Sequence, residues 1–275
     1  MNAVDTRALP IGVFDSGVGG LTVLKAIREV LPNEDLVYLG DTARLPYGTK
    51  SPTSISKYAC QATRHLQQKG IKLLVVACNT ASAVALDALC EQMAPLPVIG
   101  VVEPGARAAV AGVPGGNHLV MATEATVRLA AYSRAIGALD PDASTRELAC
   151  ELLVALAEEG WTNGDIATSI VRRYLDEMEF NEDSIDSVIL GCTHFPLLRE
   201  AIAGAIGPGT HIIDSAGTTA SAVATMLQRL ELANGQSSAG KLTLFATDGA
   251  SRFARVGGRF IGENLDASDI KLVDL

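Results

Sequence analysis

Two short stretches of the chain end on a cysteine: residues 75–80 read VVACNT, and residues 188–194 read VILGCTH. Each begins with aliphatic residues, passes through a small residue, and continues with a thiol followed by polar side chains. Uninterrupted apolar runs of this length are typical of strands that are buried on both faces, as they are in parallel sheets. The two stretches therefore predict two buried strands, each with a cysteine at its carboxyl end.

Strand-like runs and helical patterns alternate along most of the chain. Further apolar runs occupy residues 10–16, 35–41, 97–104, 118–123, 211–217 and 241–247. After the first of them, the pattern LTVLKAIREVLP places Leu21, Leu24 and Ile27 on one helical face. This alternation predicts parallel sheets with right-handed crossovers. VFDSG is echoed by IIDSAG, and VVACNT by ILGCTH, so we predict an α/β fold of two similar doubly wound domains with mainly parallel sheets.

Two segments in the second half are harder to assign. Residues 124–139, EATVRLAAYSRAIGAL, follow a strand-like run and predict one helix. Residues 145–160, TRELACELLVALAEEG, have helical propensity, although a strand could occupy the first of them. The sequence leaves both assignments of this second segment open.

The composition limits the classes of protein to which the chain can belong. Its 275 residues suit two modest domains or one large one. Apolar residues make up 48% and aromatic residues only 4%, which favours aliphatic α/β packing over an aromatic-rich β-sandwich. The net charge of −9 argues against broad binding to a phosphate backbone, so we expect no nucleic-acid partner.

The N-terminal residues and the cysteines indicate a compartment. The first ten residues contain an acid and no apolar core, unlike a signal peptide. No apolar stretch approaches the roughly 18 residues that a membrane helix needs. The five cysteines are scattered and form no CxxC pair. We therefore expect a cytoplasmic protein with free thiols and no membrane partner.

Ligands of open α/β sheets bind beyond the carboxyl ends of the strands. In this chain those ends carry Asp15, Ser16, Asp41, Cys78, Asn79, Thr80, Glu103, Thr123, Cys192, Thr193, His194, Asp214 and Ser215. Cys78 precedes a helix that should begin near Thr80, and a helix N-terminus stabilises a thiolate. Cys192 has the same setting, with His194 two residues further on. A free cysteine is more often an apolar core residue, and we expect that role for Cys60, Cys90 and Cys150.

Other motifs carry weaker signals. Cys78, Cys192 and His194 do not have the ligand spacing of a closed zinc site, so we expect no metal. The glycine-rich residues 15–22, DSGVGGLT, lack both the GxGxxG pattern and the lysine of a phosphate-binding loop. Their amides and the Ser16 hydroxyl are suited to hold a carboxylate. In the loop RLPYGTKS, Tyr47 and Gly48 offer a hydroxyl and an accessible amide.

Two thiols that face each other across one substrate are suited to inversion of a carbon that carries hydrogen. One group removes the proton from one face, and the other returns a proton on the opposite face. Asp15 beside Cys78, and His194 beside Cys192, are the candidate assistants. The alternative racemisation chemistry uses a lysine Schiff base with pyridoxal phosphate. No lysine stands out at the carboxyl end of a strand, so we expect a mechanism without cofactors.

The chain resembles the glutamate racemases of the cofactor-independent aspartate/glutamate racemase superfamily. The resemblance covers nearly the whole chain and is carried, in order, by IGVFDSGVGGLTVLKAI, YLGDTARLPYGTKS, VVACNTASA, TEATVRLAAY, LGCTHFPLL, IIDSAG and FATDGASRFARVGGRFIG. His194 favours the glutamate branch, because the aspartate branch usually has a glutamate at that position.

The resemblance implies that Cys78 and Cys192 are the proton donor and acceptor, assisted by Asp15 and His194. A glutamate of LAEEG should support His194, and Glu158 is chosen over Glu159. The residues that would surround the substrate glutamate are Asp15, Ser16, Tyr47, Gly48, Asn79, Thr80, Thr193 and His194. The family often has Cys-Pro where this chain has Cys150 followed by Glu151.

The resemblance also implies a domain arrangement and a biological role. Residues 1–99 with 213–275 would form one α/β domain and residues 100–212 the other, with the active site in the cleft between them. The enzyme would supply D-glutamate for peptidoglycan, and we expect a homodimer. Some family members inhibit DNA gyrase, but the acidic charge balance and the short N-terminal arm do not suggest that activity here.

Two other functions stay open at this point. One is a racemase for aspartate or a hydantoin, which would use the same pair of thiols on another substrate. The other is a non-catalytic binding or regulatory protein, such as a gyrase partner.

Overall fold

The strands of the protein form two parallel sheets. The computed structural model describes residues 5–178 and 185–275. The first sheet contains β1 (Ile11–Asp15), β2 (Leu36–Gly40), β3 (Leu73–Val76), β4 (Val98–Gly100), β9 (Leu242–Ala246) and β10 (Ile270–Leu272), in the order β10-β9-β2-β1-β3-β4. The second contains β5 (Asn117–Ala122), β6 (Ser144–Ala149), β7 (Ser187–Gly191) and β8 (His211–Asp214), in the order β6-β5-β7-β8. All pairs of neighbouring strands are parallel, which confirms the predicted fold class.

Helices connect the strands. They are α1 (Leu21–Val30), α2 (Pro52–Gln68), α3 (Asn79–Met93), α4 (Val102–Gly112), α5 (Glu124–Arg128), α6 (Ala131–Leu139), α7 (Glu151–Glu159), α8 (Gly164–Glu177), α9 (Arg199–Ile206), α10 (Ser215–Arg229) and α11 (Ala250–Ile261). The start of α2 shows how the sequence sets these boundaries. The Ser51 hydroxyl accepts the Ser54 amide, and Pro52 occupies the first helical position. Gly70 follows the helix with φ +73°, a conformation that favours glycine.

The chain returns to the first sheet after the second one is complete. Strands β5 to β8 are consecutive in sequence, and they interrupt the series that runs from β4 to β9. Ile213 and Asp214 of β8 pair with Ile189 and Leu190 of β7, so the second sheet extends to residue 214. The exact division into residues 1–99 with 213–275, and 100–212, stays a prediction about domains.

The structure corrects the expectation for residues 124–139 and settles the alternatives for residues 145–160. The single helix expected over residues 124–139 is wrong, because Ala130 adopts a left-handed conformation, with φ +47°, and separates α5 from α6. Residues 145–160 contain both alternatives, since β6 ends at Ala149 and α7 begins at Glu151.

The expectation that three cysteines belong to the core is confirmed for Cys150, holds in part for Cys60, which packs against the core, and is wrong for Cys90. Cys150 is fully buried, whereas Cys60 is half-buried and Cys90 is exposed. On α3, Leu89 and Met93 are buried. Cys90 comes one residue after Leu89, which is about 100° around the helix, so its side chain points outward.

Within residues 5–178 and 185–275, no helix is both long enough and apolar enough to cross a membrane.

Candidate active site

The carboxyl ends of β1, β3 and β7 lie around one cavity. Cys78 follows β3 of the first sheet, Cys192 follows β7 of the second, and both thiols line this cavity. The other lining residues are Ser16, Gly17, Leu45, Pro46, Tyr47, Gly48, Asn79, Thr80, Thr123, Glu151, Val154, Glu158, Thr193 and His194. Of the residues expected from the sequence to form the site, only Asp15 is not in this lining. The cavity is therefore shared between the two sheets, as the strand-end argument predicts.

The glycine-rich loop after β1 packs directly against the loop after β7. The Thr22 hydroxyl donates to the Thr193 carbonyl at 3.0 Å. A Cβ atom on Gly19 would overlap the side chains of Thr193 and His194. Glycine at this position thus permits the close approach of backbone and side chains that brings the two halves of the site together.

Cys78 lies at the start of α3. Its side chain accepts the Ala81 amide at 3.4 Å, so the thiol sulfur caps the helix N-terminus. The thiol also contacts the Ser16 hydroxyl oxygen at 3.4 Å. Burial, followed by the nearby Asp15 carboxylate, raises the pKa of Cys78 to about 11, while the Ser16 and Ala81 contacts act in the opposite direction. The thiol form of Cys78 is therefore favoured at neutral pH.

Asp15 lies behind Ser16 and is almost completely buried. One carboxylate oxygen, Oδ2, accepts the Gly17 amide at 2.8 Å, whereas Oδ1 has no hydrogen-bond partner among the described residues. Burial raises the pKa of Asp15, and His194 and the neighbouring amides partly oppose this shift. A buried carboxyl with a raised pKa and a free oxygen is suited to accept and return a proton.

Cys192 is also almost fully buried, with 6% of its surface exposed. Burial raises its pKa well above the ordinary value, and the charges of Cys78, Asp15 and Glu151 act in the same direction. Its sulfur lies 3.8 Å from Nδ1 of His194, and the Thr193 hydroxyl lies 3.4 Å from the same nitrogen. The ionisable group next to this thiol is therefore an imidazole.

Glu158 supports the opposite edge of the His194 ring. Oε1 of Glu158 lies 3.3 Å from Nε2 of His194, and the ring also packs edge-on against Phe260 at a centroid distance of 5.0 Å. The hydrogen bond with His194 lowers the pKa of Glu158, and Arg252 contributes to the same shift. The structure thus places Glu158 against His194, whereas Glu159 is exposed.

Hydroxyl and amide groups from both sides of the cavity form a second polar cluster. The Thr80 hydroxyl lies 2.8 Å from that of Thr123, and Thr126 lies 3.1 Å from Thr123. The side-chain amide nitrogen of Asn79 donates to the Tyr132 hydroxyl at 2.8 Å, and its oxygen has no partner among the described residues. These groups supply donors that a carboxylate ligand needs.

Tyr47 and Gly48 both line the cavity. The Tyr47 hydroxyl donates to Asp41 at 2.6 Å, so it already has a partner within the protein. A Cβ atom on Gly48 would lie 3.1 Å from Thr123 and 3.3 Å from a carboxylate oxygen of Glu151. The glycine therefore keeps this side of the cavity open.

Sequence reasoning did not count Glu151, Thr126, Tyr132 or Arg252 among the site residues. Glu151 was visible as a departure from the usual Cys-Pro pattern, and its carboxylate accepts the Glu124 amide while lining the cavity. The other three residues lie inside helices, within the motifs TEATVRLAAY and FATDGASRFARVGGRFIG that carry the family resemblance, but no role in the site was assigned to them.

No group of three or more His, Cys, Asp or Glu side chains is arranged to hold a metal ion in the part of the chain that the structure describes.

Comparison with known proteins identifies close relatives. The sequence pattern of the "Asp/Glu/Hydantoin racemase" family matches residues 11–223. A glutamate racemase of Geobacter metallireducens is 49% identical over 255 residues, which cover 93% of each chain. The crystal structure of glutamate racemase from Francisella tularensis in complex with D-glutamate has a TM-score of 0.89 and 34% identity, and the match covers 98% of each chain. The glutamate racemase of Thermus thermophilus in complex with β-chloro-D-alanine has a TM-score of 0.87 and 41% identity, again over 98% of each chain.

Proposed function

The chain belongs to the Asp/Glu/hydantoin racemase family, and from that premise we propose that it interconverts L- and D-glutamate, with Cys78 and Cys192 as the two groups that transfer protons. The observation that carries this assignment is that two buried thiols, from two different sheets, line one cavity. The identity of 49% with a glutamate racemase along nearly the full chain supports glutamate as the substrate.

The chemistry needs one thiolate and one thiol at the start of each turnover. The thiolate removes the α-proton from one face, which leaves a carbanion whose charge is shared with the adjacent carboxylate. The thiol on the other face then donates its proton to the same carbon. At the end of the reaction the two cysteines have exchanged protonation states, so the reverse reaction begins from the other side.

The protein has to make a thiolate in a cavity that favours the thiol. Burial raises the pKa of both Cys78 and Cys192. The ammonium group of bound glutamate brings a positive charge into the cavity, and a nearby cation lowers the pKa of a thiol. Asp15 and His194 are the groups that would accept or return the displaced proton, since each lies beside one half of the site.

The α-carbanion and the two carboxylates of glutamate also need stabilisation. The N-terminus of α3 presents its first amides next to Cys78, and helix N-termini attract anions. Thr80, Thr123 and the Asn79 side chain place further polar groups along the same wall. We assign glutamate binding to Asp15, Ser16, Tyr47, Gly48, Asn79, Thr80, Thr193 and His194, and we add the strand-end residue Thr123, which lines the same cavity.

Racemisation in D₂O without added cofactor tests the proposal. Circular dichroism should decay to zero from either enantiomer, and the product enantiomer should carry deuterium at the α-carbon. Turnover of aspartate or a hydantoin without turnover of glutamate would reassign the substrate. Absence of α-deuterium in both glutamate enantiomers would favour a non-catalytic binding protein.

Three further parts of the proposal follow from the family. We propose that the enzyme acts in the cytoplasm, forms a homodimer, and supplies D-glutamate for peptidoglycan. Sedimentation equilibrium checks the dimer, and a monomer at working concentration would contradict it.

A further inference from the structure

The helix α11 approaches the site with two arginines that the mechanism above does not use. Arg252 and Arg259 both contact Glu158, which is the last but one residue of α7. Helix α11 lies between β9 and β10 of the first sheet, whereas α7 follows β6 of the second. The two arginines therefore connect the C-terminal part of the chain to the half of the site that contains Cys192.

Arg259 contacts the backbone of Glu158. Its Nη1 donates to the Glu158 carbonyl at 2.6 Å, where α7 ends and carbonyl groups lack partners within the helix. Gly160 follows with φ +79°, and a Cβ atom there would lie 3.0 Å from the same guanidinium nitrogen. Arg259 thus fixes the end of the helix that carries Glu158, with a cation at the negative end of the helix dipole.

Arg252 contacts the carboxylate of the same residue. Its Nη2 donates to Oε2 of Glu158 at 2.6 Å, while Oε1 of Glu158 faces Nε2 of His194 at 3.3 Å. Each carboxylate oxygen therefore has a separate partner, which fixes the rotation of the carboxylate plane. The Glu158 side chain is only 16% exposed, so few water molecules compete for these contacts.

The contact with Glu158 helps to set which way the His194 ring faces, together with the packing of the ring against Phe260. With Nε2 against Glu158, the other nitrogen, Nδ1, faces the Cys192 sulfur at 3.8 Å. Rotation of an unsupported carboxylate would release Nε2 and allow the ring to turn away from the thiol. The order of contacts is Arg252, Glu158, His194 and Cys192.

We infer that Arg252 is a positioning residue for the Cys192 half of the reaction, which it reaches through Glu158 and His194. This inference rests on the proposed glutamate racemisation. Arg252 does not line the cavity, so its loss should act on proton transfer at Cys192 and not through a direct contact with the substrate. Half of its side chain is exposed, and an ion pair with an exposed partner contributes little to stability by itself. The expected consequence of its loss is therefore kinetic rather than structural.

The substitutions Arg252→Gln and Arg252→Lys test this role, with Arg255→Gln as the matched control. Arg255 lies on the same helix, is exposed, and forms no ion pair with the described residues. Because L- and D-glutamate have equal free energies, kcat/KM must be equal in the two directions, but kcat itself need not be. If kcat falls in only one direction at unchanged KM, the KM of the other direction must rise by the same factor. Steady-state assays from each enantiomer therefore separate the two halves of the site.

We expect Arg252→Gln to lower kcat by about tenfold in one direction, and that direction should be the one that His194→Asn slows more; an effect of this size is typical of a lost charge-assisted hydrogen bond. Arg252→Lys should restore most of the activity, and Arg255→Gln should match the wild type. In a Glu158→Gln background, Arg252→Gln should cause no further loss, since residues that act in series are not additive.

Three results would overturn the inference. The first is that the activity of Arg252→Gln lies within twofold of that of Arg255→Gln. The second is that Arg252→Gln lowers kcat equally in both directions. The third is that Arg252→Gln lowers activity as much in the Glu158→Gln background as in the wild type. A thermal melt of each variant checks that the fold is retained. Failure of the wild type to racemise glutamate would reject the proposed function itself, which the variant comparison does not address.

Discussion

The two cysteine half-sites start alike and then diverge. Cys78 and Cys192 each follow a parallel strand whose residues are all buried, and each thiol is almost fully buried. Cys78 then begins the 15-residue helix α3, whereas Cys192 is followed by a four-residue 3₁₀ helix, Phe195–Leu198. The same local pattern therefore places both thiols, but the chain that follows gives them different neighbours.

The neighbours determine how each thiolate can be stabilised. Cys78 has the Ala81 amide at a helix N-terminus and the Ser16 hydroxyl, so fixed dipoles act on it. Cys192 has His194, which is backed by Glu158, so an ionisable relay acts on it. The end of the strand determines where each thiol lies. The segment that follows determines its neighbour, which is a helix N-terminus for Cys78 and an imidazole for Cys192.

The largest effect is expected from removal of either thiol. Cys78→Ala and Cys192→Ala should each lower racemisation by at least about 10³-fold, because general acid–base catalysis contributes on the order of 10² to 10⁴ and neither thiol can reach both faces. Chiral chromatography of the product from each enantiomer measures the loss.

The double variant shows whether the two half-sites form one unit. Cys78→Ala/Cys192→Ala should be no slower than the slower single variant, since the groups act on the same proton transfer. Cys90→Ala is the matched control, because Cys90 is an exposed cysteine on α3. Losses that multiply in the double variant would mean that the thiols act independently, contrary to the paired assignment.

Substitution of Asp15 or His194 should have a smaller effect than loss of a thiol, and the effect on kcat should differ between the two directions of the reaction. Asp15→Asn should slow kcat mainly in one direction and His194→Asn mainly in the other, each by about 10- to 100-fold, as expected for loss of one acid–base group. Asp15 acts on Cys78 through its charge, and the His194 ring faces Cys192. Measuring kcat from L- and from D-glutamate gives the ratio directly.

The separation between the two directions should be incomplete. Asp15 and His194 influence each other, since His194 opposes the rise in the pKa of Asp15. Equal losses in both directions for both variants would show that these residues serve the whole cavity, and the distinction between the half-sites would fail at this level.

The sequence predicts the residues that line the two half-sites better than it predicts the residues that hold them in place. The strand-end argument places Cys78, Cys192 and His194 at one cavity, because apolar runs and the residues that terminate them are local signals. Arg252 contacts Glu158, which lies 94 residues away in the chain, and no local pattern reports such a contact. Gly19 was recognisable as part of the glycine-rich stretch DSGVGGLT. Only the structure shows why glycine is needed there, namely the close approach of Thr193 and His194.

The helix boundaries show the same limit. The pattern over residues 124–139 is helical throughout, yet Ala130 divides it into α5 and α6. The pattern over residues 145–160 was ambiguous because its first part pairs as a sheet-edge strand, β6, in which no residue is fully buried. Partly exposed edge strands lack the continuous apolar run that identifies the central ones.

The smallest predicted effect concerns the charge environment of the two thiols. Glu151 lines the cavity and raises the pKa of Cys192, and it is not among the main influences on the pKa of Cys78. Glu151→Gln removes this charge, so the pKa of Cys192 should fall while that of Cys78 stays at about 11. Below its pKa, a thiol reacts in proportion to its thiolate fraction, which grows about tenfold per pH unit.

Modification by methyl methanethiosulfonate between about pH 7 and pH 9, read by peptide mass spectrometry, measures both thiols in one sample. In Glu151→Gln, Cys192 should react about two- to fivefold faster than in the wild type, as expected for removal of one neighbouring charge in a partly screened site. Cys78 should keep its rate, and Glu159→Gln, which alters an exposed neighbour on α7, should leave both rates unchanged. If both cysteines accelerate equally in Glu151→Gln, the substitution has opened the cavity to the reagent, and the separate electrostatic control of the Cys192 half-site is refuted.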